Sequence, residues 1–258
     1  MNALQKLLAY LSYCRKANGI HAAQSKFIYN FLQAVFYDHN PYPDFELIEH
    51  ARKQMLCNAA RINGKSIGAT PGKDLGSVSQ LVSRTAKPQK YGRLLYNLMQ
   101  YVAPATVVEL GTGAGISTFY LAAARPLASV ITIEGVKEIQ QIAIEYAHRL
   151  SLHNITFIHN DFDIALPKLM QETRTVDLAF IDGNHTCKAT LHYFDLLLSK
   201  KNEKSIFVFD DINWSKDMQQ SWKIIKAHEQ VTLCIECFQM GMVFFDKALS
   251  KQVFTVRY

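Results

Sequence analysis

The stretch VVELGTGAGIST (residues 107–118) decides the fold, because it joins a short apolar strand to a helix through a glycine-rich turn. Glycine recurs at every second position of this turn, at 111, 113 and 115. Glycines permit a tight turn and a close approach of the backbone to a ligand. The next helix is expected to start near Ile116, with its free N–H groups facing that ligand. The stretch therefore predicts a ligand site at the end of the first strand of an α/β domain.

The sequence after this turn repeats a pattern of strand, turn and helix. The predicted strands are short and apolar, as in strands buried on both faces, and amphipathic helical segments lie between them. This alternation predicts a doubly wound, Rossmann-like parallel sheet with right-handed crossovers. The predicted strands are 105–110, 129–134, 155–160, 177–182 and 206–210, and the predicted helices are 116–125, 136–150, 163–172, 186–200 and 215–229.

The two ends of the chain differ from this repeat. Three strand-like segments with no helix between them, TLCIECF, GMVFFDK and QVFTVRY, close the sequence and predict a terminal antiparallel hairpin. Residues 1–62 have mostly helical spacing, with a third helix expected from Phe45 to about Ile62. Four of the twelve glycines lie within residues 63–80, which predicts either a mobile lid or a linker. We therefore expect a helical N-terminal extension with this lid or linker over 1–90, and a ligand-binding domain over 91–258.

The spacing of the glycines favours S-adenosylmethionine (SAM) over a dinucleotide. Dinucleotide sites usually have the pattern G-x-G-x-x-G, whereas Ile116 occupies the position of the third glycine here. A carboxylate at Glu109 would repel a pyrophosphate but suits the cationic amino group of SAM. Glu134 ends the second strand, where a carboxylate can accept both hydroxyls of a ribose. At the third strand, Asp161 could accept from an adenine amino group or only cap the next helix, and Phe162 could pack on the ring.

Acidic residues follow the fourth and fifth predicted strands, in the stretches IDGNHT and FDDINW. Because ligands bind at the carboxyl ends of the strands in such sheets, these side chains are expected to converge at that end of the sheet. Several carboxylates in one pocket repel one another unless a cation neutralises them, and oxygen ligands suit Mg²⁺. Either neighbouring aspartate could instead cap the following helix, and the histidine could be a packed one. The residues concerned are Asp182, His185, Asp210 and Asp211.

Together these motifs resemble the class I SAM-dependent methyltransferases, in particular the divalent-metal-dependent O-methyltransferases that act on small molecules. The resemblance implies a seven-stranded sheet with an antiparallel last strand, a metal held by Asp182, Asp210 and Asp211, and His185 as the base. The IDGNH stretch resembles the Asp-Gly-Asp-His members that modify natural-product sugars and antibiotics, but Asn184 replaces their second aspartate. The predicted cofactor contacts are Tyr91, Glu109, Gly111, Thr112, Gly113, Gly115, Ser117, Glu134, Asp161, Phe162 and Asp182.

The predicted function is transfer of a methyl group from SAM to a hydroxyl of a small molecule, assisted by Mg²⁺ or a similar ion, with His185 and Asp182 as catalytic residues. The alternatives are a metal-independent methyltransferase acting on nitrogen, a protein or RNA, and a non-catalytic binding module of the same fold. An amino-methyltransferase of the common type would have Asn/Asp-Pro-Pro-Tyr after the fourth strand, where this chain has IDGN. An NAD-linked oxidoreductase is disfavoured by the glycine spacing.

Composition narrows the setting of this chemistry. The 258 residues carry a net charge of +6 without a basic stripe interleaved with aromatics, so nucleic acid is a disfavoured partner. No run of apolar residues reaches the eighteen that a membrane helix needs, so a membrane partner is not expected. Five scattered cysteines favour a reducing compartment, so we expect a cytoplasmic protein, and Cys234 and Cys237 are interpreted as packed thiols. A homodimer is left open, as is whether Trp214 walls the substrate pocket or belongs to the core.

Overall fold

The computed structural model describes residues 3–65, 67 and 72–258. Helices and strands alternate through most of the described chain. The helices are α1 (Ala3–Lys16), α2 (Lys26–Phe31), α3 (Pro43–Leu56), α4 (Val78–Thr85), α5 (Gln89–Val102), α6 (Ile116–Ala124), α7 (Lys137–Arg149), α8 (Phe162–Glu172), α9 (Cys187–Leu198) and α10 (Lys216–Ala227). The strands are β1 (Thr106–Leu110), β2 (Ser129–Glu134), β3 (Ile155–His159), β4 (Val176–Ile181), β5 (Lys201–Phe209), β6 (Leu233–Glu236), β7 (Gly241–Phe244) and β8 (Gln252–Thr255).

The eight strands form a mixed sheet in the order β3-β2-β1-β4-β5-β7-β6-β8. The predicted Rossmann-like α/β class and the terminal antiparallel hairpin of β6 and β7 are confirmed. The sheet has one strand more than the family resemblance implies, because β8 adds a parallel pairing to β6. The chain divides into two compact units, residues 31–165 and residues 1–30 with 166–258. The predicted boundary at residue 90 stays a prediction.

The unit of residues 31–165 is built on the parallel strands β1, β2 and β3. The register pairs Glu109 with Thr132 and Glu134 with His159, so the last residues of these strands lie side by side. Helices α5 and α6 pack closely: a Cβ on Gly92 would lie 2.3 Å from the ring of Tyr120. This spacing explains why glycine occupies position 92, since any side chain there would push the two helices apart.

The second unit contains β4 to β8 and the first helix of the chain. Strand β5 pairs with β4 in parallel and with β7 in antiparallel fashion. Helix α1 is tied to the C-terminal end of the chain, because the Tyr13 hydroxyl donates to the carbonyl of Val256 at 2.6 Å. The backbone N–H of Tyr258 in turn donates to that hydroxyl at 3.0 Å. The first helix is therefore fixed against the last strand.

Two N-terminal segments differ from the expected pattern. Helix α3 ends at Leu56 instead of near Ile62, and an antiparallel ribbon follows it, in which Arg61 bridges to Ser77 and Lys65 to Asp74. The predicted lid or linker over 63–80 coincides with this ribbon and with the start of α4, and residues 66 and 68–71 of it lie outside the described residues. Among the described glycines of this segment, Gly72 and Gly76 have positive φ, at 79° and 78°.

The thiols of the terminal hairpin are packed inside the protein. Cys234 and Cys237 are both buried, and burial raises the pKa of the Cys234 thiol to about 12. A thiol with such a pKa stays protonated and unreactive at neutral pH. Within the described ranges, no helix combines the length and the apolar composition needed to cross a bilayer.

Candidate functional site

The glycine turn adopts backbone angles that only glycine accepts readily. Gly111, Gly113 and Gly115 all have positive φ, at 100°, 52° and 90°. The turn closes with a hydrogen bond from the N–H of Gly115 to the carbonyl of Thr112 at 2.9 Å, and α6 begins directly afterwards. A Cβ on Gly113 would meet no atom within 4 Å, so the turn leaves open space on that side. The sequence therefore encodes an exposed backbone loop at the start of a helix.

Glu109 lies beneath this turn and is fully buried. Its carboxylate accepts hydrogen bonds from the hydroxyls of Ser117 at 2.7 Å, Thr132 at 2.7 Å and Thr118 at 2.5 Å. Burial raises the pKa of Glu109 to about 7, although the three hydroxyl donors oppose that change. Glu109 therefore ties the end of β1 to β2 and to the first turn of α6. Its predicted contact with the cofactor stays a prediction.

Glu134 at the end of β2 closes back on the glycine turn. Its Oε2 accepts from the backbone N–H of Gly113 at 3.0 Å, and its Oε1 accepts from the N–H of Val136 at 3.0 Å. Burial raises the pKa of this carboxyl, while its backbone hydrogen bonds lower it. Glu134 is half-buried, so its carboxylate is fixed next to the open side of Gly113 and keeps some access to a ligand. A ribose could donate its hydroxyls there.

The other predicted cofactor residues differ in their access to ligand. Asp161 is exposed and caps α8, since its Oδ1 accepts from the N–H of Asp163 at 2.9 Å. Phe162 is half-buried at the start of α8. Tyr91 is buried in α5, with the ammonium of Lys90 4.8 Å from the centre of its ring. The helix-cap alternative for Asp161 therefore occurs in the structure, and its contact with adenine stays a prediction.

Three ionisable side chains meet after β4 and β5. One potential ligand atom each from Asp182, His185 and Asp211 lies within 4.8 Å of the other two, and we refer to these residues as the cation-site triad. The Nε2 atom of His185 is 3.5 Å from Oδ1 of Asp182. All three residues are half-buried. The predicted convergence of these three residues is thus observed within this unit.

Asp210 is the fourth residue that the sequence predicted here, and it is fully buried. The group of three potential ligands does not include it. Its backbone N–H donates to the carbonyl of Ile181 at 3.0 Å, which aligns the ends of β4 and β5. Its role as a metal ligand stays a prediction.

The loops that carry the triad are held in uncommon conformations. Asn184 and Asp211 have φ of 50° and 53°, in the left-handed region that few residues other than glycine adopt. The loop after β5 is anchored by bonds from the N–H of Ile212 to the carbonyl of Gln239 at 3.0 Å and from the Asn213 amide to the carbonyl of Phe238 at 2.8 Å. Such strain persists only where the surroundings enforce it and is often found at functional sites.

The triad fits a divalent cation by the chemistry of its donors. Two carboxylates and one imidazole provide oxygen and nitrogen atoms close enough to share one ion, and oxygen donors suit Mg²⁺ or Mn²⁺. Two carboxylates this close also repel one another unless positive charge lies between them. The sequence had assigned the ligand role to the aspartates and the role of base to His185. The geometry allows His185 either role.

Several features of both sites were missed by reasoning from the sequence. The hydroxyls that converge on Glu109 come from Ser117 and Thr118 of α6 and from Thr132 of β2, so their convergence depends on how α6 and β2 pack against β1. Only Ser117 had been singled out, as a cofactor contact. The left-handed conformation of Asn184 could have been suspected, because asparagine adopts that region more readily than other non-glycine residues.

Comparison with known proteins agrees with this geometry. A family model described as a methyltransferase domain matches residues 108–212, which contain the glycine turn, Glu134 and the triad. A protein of Arabidopsis thaliana, provisionally named a caffeoyl-CoA O-methyltransferase, is 29% identical over 145 residues. That alignment covers 51% of this chain and 62% of the relative, so the chain spans less than two thirds of the curated protein it matches.

Solved structures of several methyltransferases share the fold. The O-methyltransferase TomG of Streptomyces achromogenes, involved in tomaymycin synthesis and solved with SAM, has a TM-score of 0.57 at 15% identity over 84% of this chain and 94% of its own. A Bacillus cereus O-methyltransferase with S-adenosylhomocysteine (SAH) gives 0.56 at 16% identity, with coverages of 83% and 96%. An SAH-bound methyltransferase from Podospora anserina gives 0.58 at 11% identity, with coverages of 96% and 97%. The predicted resemblance to the SAM-dependent methyltransferases is thus supported by a methyltransferase-domain model over residues 108–212, and the solved structures share the Rossmann-like fold.

Proposed function

We propose that this chain transfers the methyl group of SAM to a hydroxyl of a small molecule, with a divalent cation at the cation-site triad. The observation that carries the proposal is the meeting of Asp182, His185 and Asp211 after β4 and β5 of a methyltransferase domain. Two carboxylates and a histidine are suited to removing the proton of a hydroxyl group, which must be lost before the oxygen becomes a strong nucleophile. They are less suited to an amine, because a neutral amine is already nucleophilic. The names of the Arabidopsis, Streptomyces and Bacillus relatives, all O-methyltransferases, support the same reaction.

The unit of residues 31–165 would bind the cofactor. Glu134 would accept the ribose hydroxyls, because its carboxylate is held by the N–H groups of Gly113 and Val136 and remains accessible. The open side of Gly113 would admit the cofactor close to the backbone. Glu109 would hold the turn in this shape through its three hydroxyl donors.

The second unit would supply the chemistry at the acceptor. Asp182 and Asp211 would hold the cation, with Asp210 as a further predicted ligand. A divalent cation, when bound, supplies positive charge that makes a nearby hydroxyl more acidic. His185 would take up the proton of that hydroxyl on its imidazole ring. The carboxylate of Asp182, with Oδ1 3.5 Å from Nε2 of His185, would stabilise the resulting imidazolium.

Positioning would contribute the rest of the rate. The strained loops at Asn184 and Asp211 fix the triad before the acceptor arrives, so little reorganisation is needed during the reaction. Holding the acceptor oxygen in line with the methyl group converts a bimolecular reaction into one between groups already in contact. The identity of the acceptor within the class of small hydroxylated molecules is left to experiment.

The proposal is tested by measuring cation binding and methyl transfer in parallel. Isothermal titration with Mn²⁺ should give one site in the wild-type protein, and Asp211→Asn should weaken it by about tenfold or more, since a charged ligand is lost. Asp195→Asn, an exposed aspartate of α9, is the matched control and should bind as the wild type does. SAH release from SAM, in the presence of a panel of hydroxylated small molecules, should require the cation and stop with a chelator. Unchanged turnover in chelator would refute the role of the cation, and failure to bind SAH would refute the whole proposal.

A further inference from the structure

The first helix lies close to the loop that carries the triad. Trp214 follows Asp211 by one β-turn, closed by a hydrogen bond from the N–H of Trp214 to the carbonyl of Asp211 at 2.8 Å. Such a turn keeps its first and last Cα atoms within about 7 Å of each other. On the other side, the ammonium of Lys6 in α1 lies 3.6 Å from the centre of the Trp214 ring. Lys6, Trp214 and Asp211 therefore form a continuous chain of contacts ending at the triad.

Trp214 is the more exposed of the two tryptophans. Its side chain is 54% exposed, whereas Trp222, the other tryptophan, is 5% exposed and donates to Glu236. Lys6 covers one part of the indole, and the rest remains accessible to solvent. Tryptophan is enriched at interfaces, because its ring offers a large apolar surface and its N–H a polar contact. Trp214 presents part of such a ring to solvent three residues after Asp211.

Both signs of charge occur around Trp214, with the ammonium of Lys6 over its ring and Asp211 three residues before it. No carboxylate among the described residues forms an ion pair with Lys6. A groove beside it, between α1 and α10, is lined by a second lysine, Lys216, together with Gln5, Leu8, Ala9 and Gln219. The one acidic residue in the first turn of α10, Asp217, already accepts from the N–H of Cys187 at 3.4 Å. The ammonium of Lys6 is thus held by an aromatic ring and available to an anion.

We propose that Lys6 and Trp214 form an acceptor-specificity site, which selects acceptors that carry a carboxylate on the ring whose hydroxyl is methylated. This inference rests on the proposed function, because it takes the triad as the place where that hydroxyl binds. The exposed part of the indole ring would stack on a flat acceptor. The ammonium of Lys6 would then contact the negatively charged substituent of that acceptor. One ammonium balances one negative charge, which a carboxylate carries and a phosphate monoester exceeds at neutral pH. Helix α1 thereby acquires a role in recognition.

The test compares a carboxylic acid with its neutral ester. The probes are 3,4-dihydroxybenzoate and methyl 3,4-dihydroxybenzoate, whose adjacent hydroxyls can share a divalent cation, titrated into full-length protein with Mg²⁺ and saturating SAH. The wild type should bind the acid about tenfold more tightly than the ester, as expected for a hydrogen bond between charged groups. Lys6→Gln should abolish this preference by weakening binding of the acid alone. Lys6→Arg, which keeps the positive charge, should retain the preference. Trp214→Ala should weaken binding of both probes.

Controls separate this inference from its premise. Lys16→Gln removes a basic residue from the last turn of the same helix and should leave the preference unchanged. Equal affinity of the wild type for the two probes, absence of binding of the acid, or equal effects of Lys6→Gln and Lys16→Gln would overturn the specificity site. The titration with SAH is performed first: a protein that binds SAH but does not prefer the acid refutes only this inference, whereas a protein that does not bind SAH refutes the proposed function.

Discussion

Replacement of Glu109 by glutamine should change how the stability of the protein depends on pH. The carboxyl has an ordinary pKa of 4.5, and burial raises its pKa in the folded protein to about 7. Between these two pH values the folded protein keeps the proton that the unfolded chain has lost. Raising the pH through this window therefore lowers the free energy of unfolding.

The size of this effect follows from the two pKa values. The interval from 4.5 to about 7 corresponds to about 3 kcal/mol, at about 1.4 kcal/mol for each pH unit. Glutamine resembles the protonated acid in shape and carries no charge. The hydroxyls of Ser117, Thr118 and Thr132 can rotate to accept from its amide as well as donate to its oxygen. Part of this effect has already developed at pH 5, so between pH 5 and pH 8 the free energy of unfolding of Glu109→Gln should rise relative to that of the wild type by about 2.5 kcal/mol.

The assay is urea unfolding of the ligand-free protein at pH 5, 6, 7 and 8, followed by circular dichroism. Glu172→Gln, which removes an exposed carboxylate at the end of α8, is the matched control and should follow the wild type at every pH. Because groups far from Glu109 titrate equally in variant and wild type, the difference between the two curves reports on Glu109 and on its electrostatic coupling to Glu134. Parallel curves for Glu109→Gln and the wild type would show that Glu109 does not titrate in this window and would refute the reasoning.

The remaining predictions concern the cofactor turn and the attachment of α1. Glu134→Gln should raise the Kd for SAH about tenfold or more in calorimetry, because a charged acceptor of the ribose hydroxyls becomes neutral; an unchanged Kd would place the ribose elsewhere. Gly115→Ala should lower the free energy of unfolding by about 2–4 kcal/mol, since φ is +90° and a Cβ would lie 2.5 Å from a buried phenylalanine ring. Gly113→Ala, with φ of +52° and open space, should cost about 1–2 kcal/mol, and equal losses for the two variants in urea unfolding would contradict the packing argument. Tyr13→Phe should cost about 1 kcal/mol through loss of the bond to the carbonyl of Val256, and an unchanged melting temperature would mean that this bond does not hold α1 in place.

The alternation of strands and helices after residue 100 could be predicted because it depends on local pattern. Strands buried on both faces are short and continuously apolar, and each is followed by an amphipathic helix, so the positions of β1 to β4 were expected to within a few residues. The glycine turn was predictable for the same reason: three residues with positive φ at a strand–helix junction require glycine. Strand β5 begins at Lys201, earlier than the predicted 206, because its first residues are polar and exposed.

Other features depend on contacts between residues far apart in sequence, which local patterns do not report. The end of α3 at Leu56 has no proline or glycine to mark it, and the bridge from Arg61 to Ser77 replaces the expected last turn. The function of Asp161 could not be decided, because capping a helix and binding adenine demand the same residue type at the same place. The contact of Lys6 with Trp214 joins residues more than two hundred positions apart.

The proposed methyl transfer requires that SAM and the cation bind close to each other. The most direct test of this requirement measures how a paramagnetic ion at the cation site relaxes the NMR signal of the SAM methyl group. SAM labelled with ¹³C in its methyl group would be bound to the protein with Mg²⁺, and the ion then exchanged for Mn²⁺. The proposal predicts strong broadening of the methyl resonance by Mn²⁺ in the wild type and its loss in Asp182→Asn and Asp211→Asn. A wild-type protein that binds both SAM and Mn²⁺ but leaves the methyl signal sharp would contradict it.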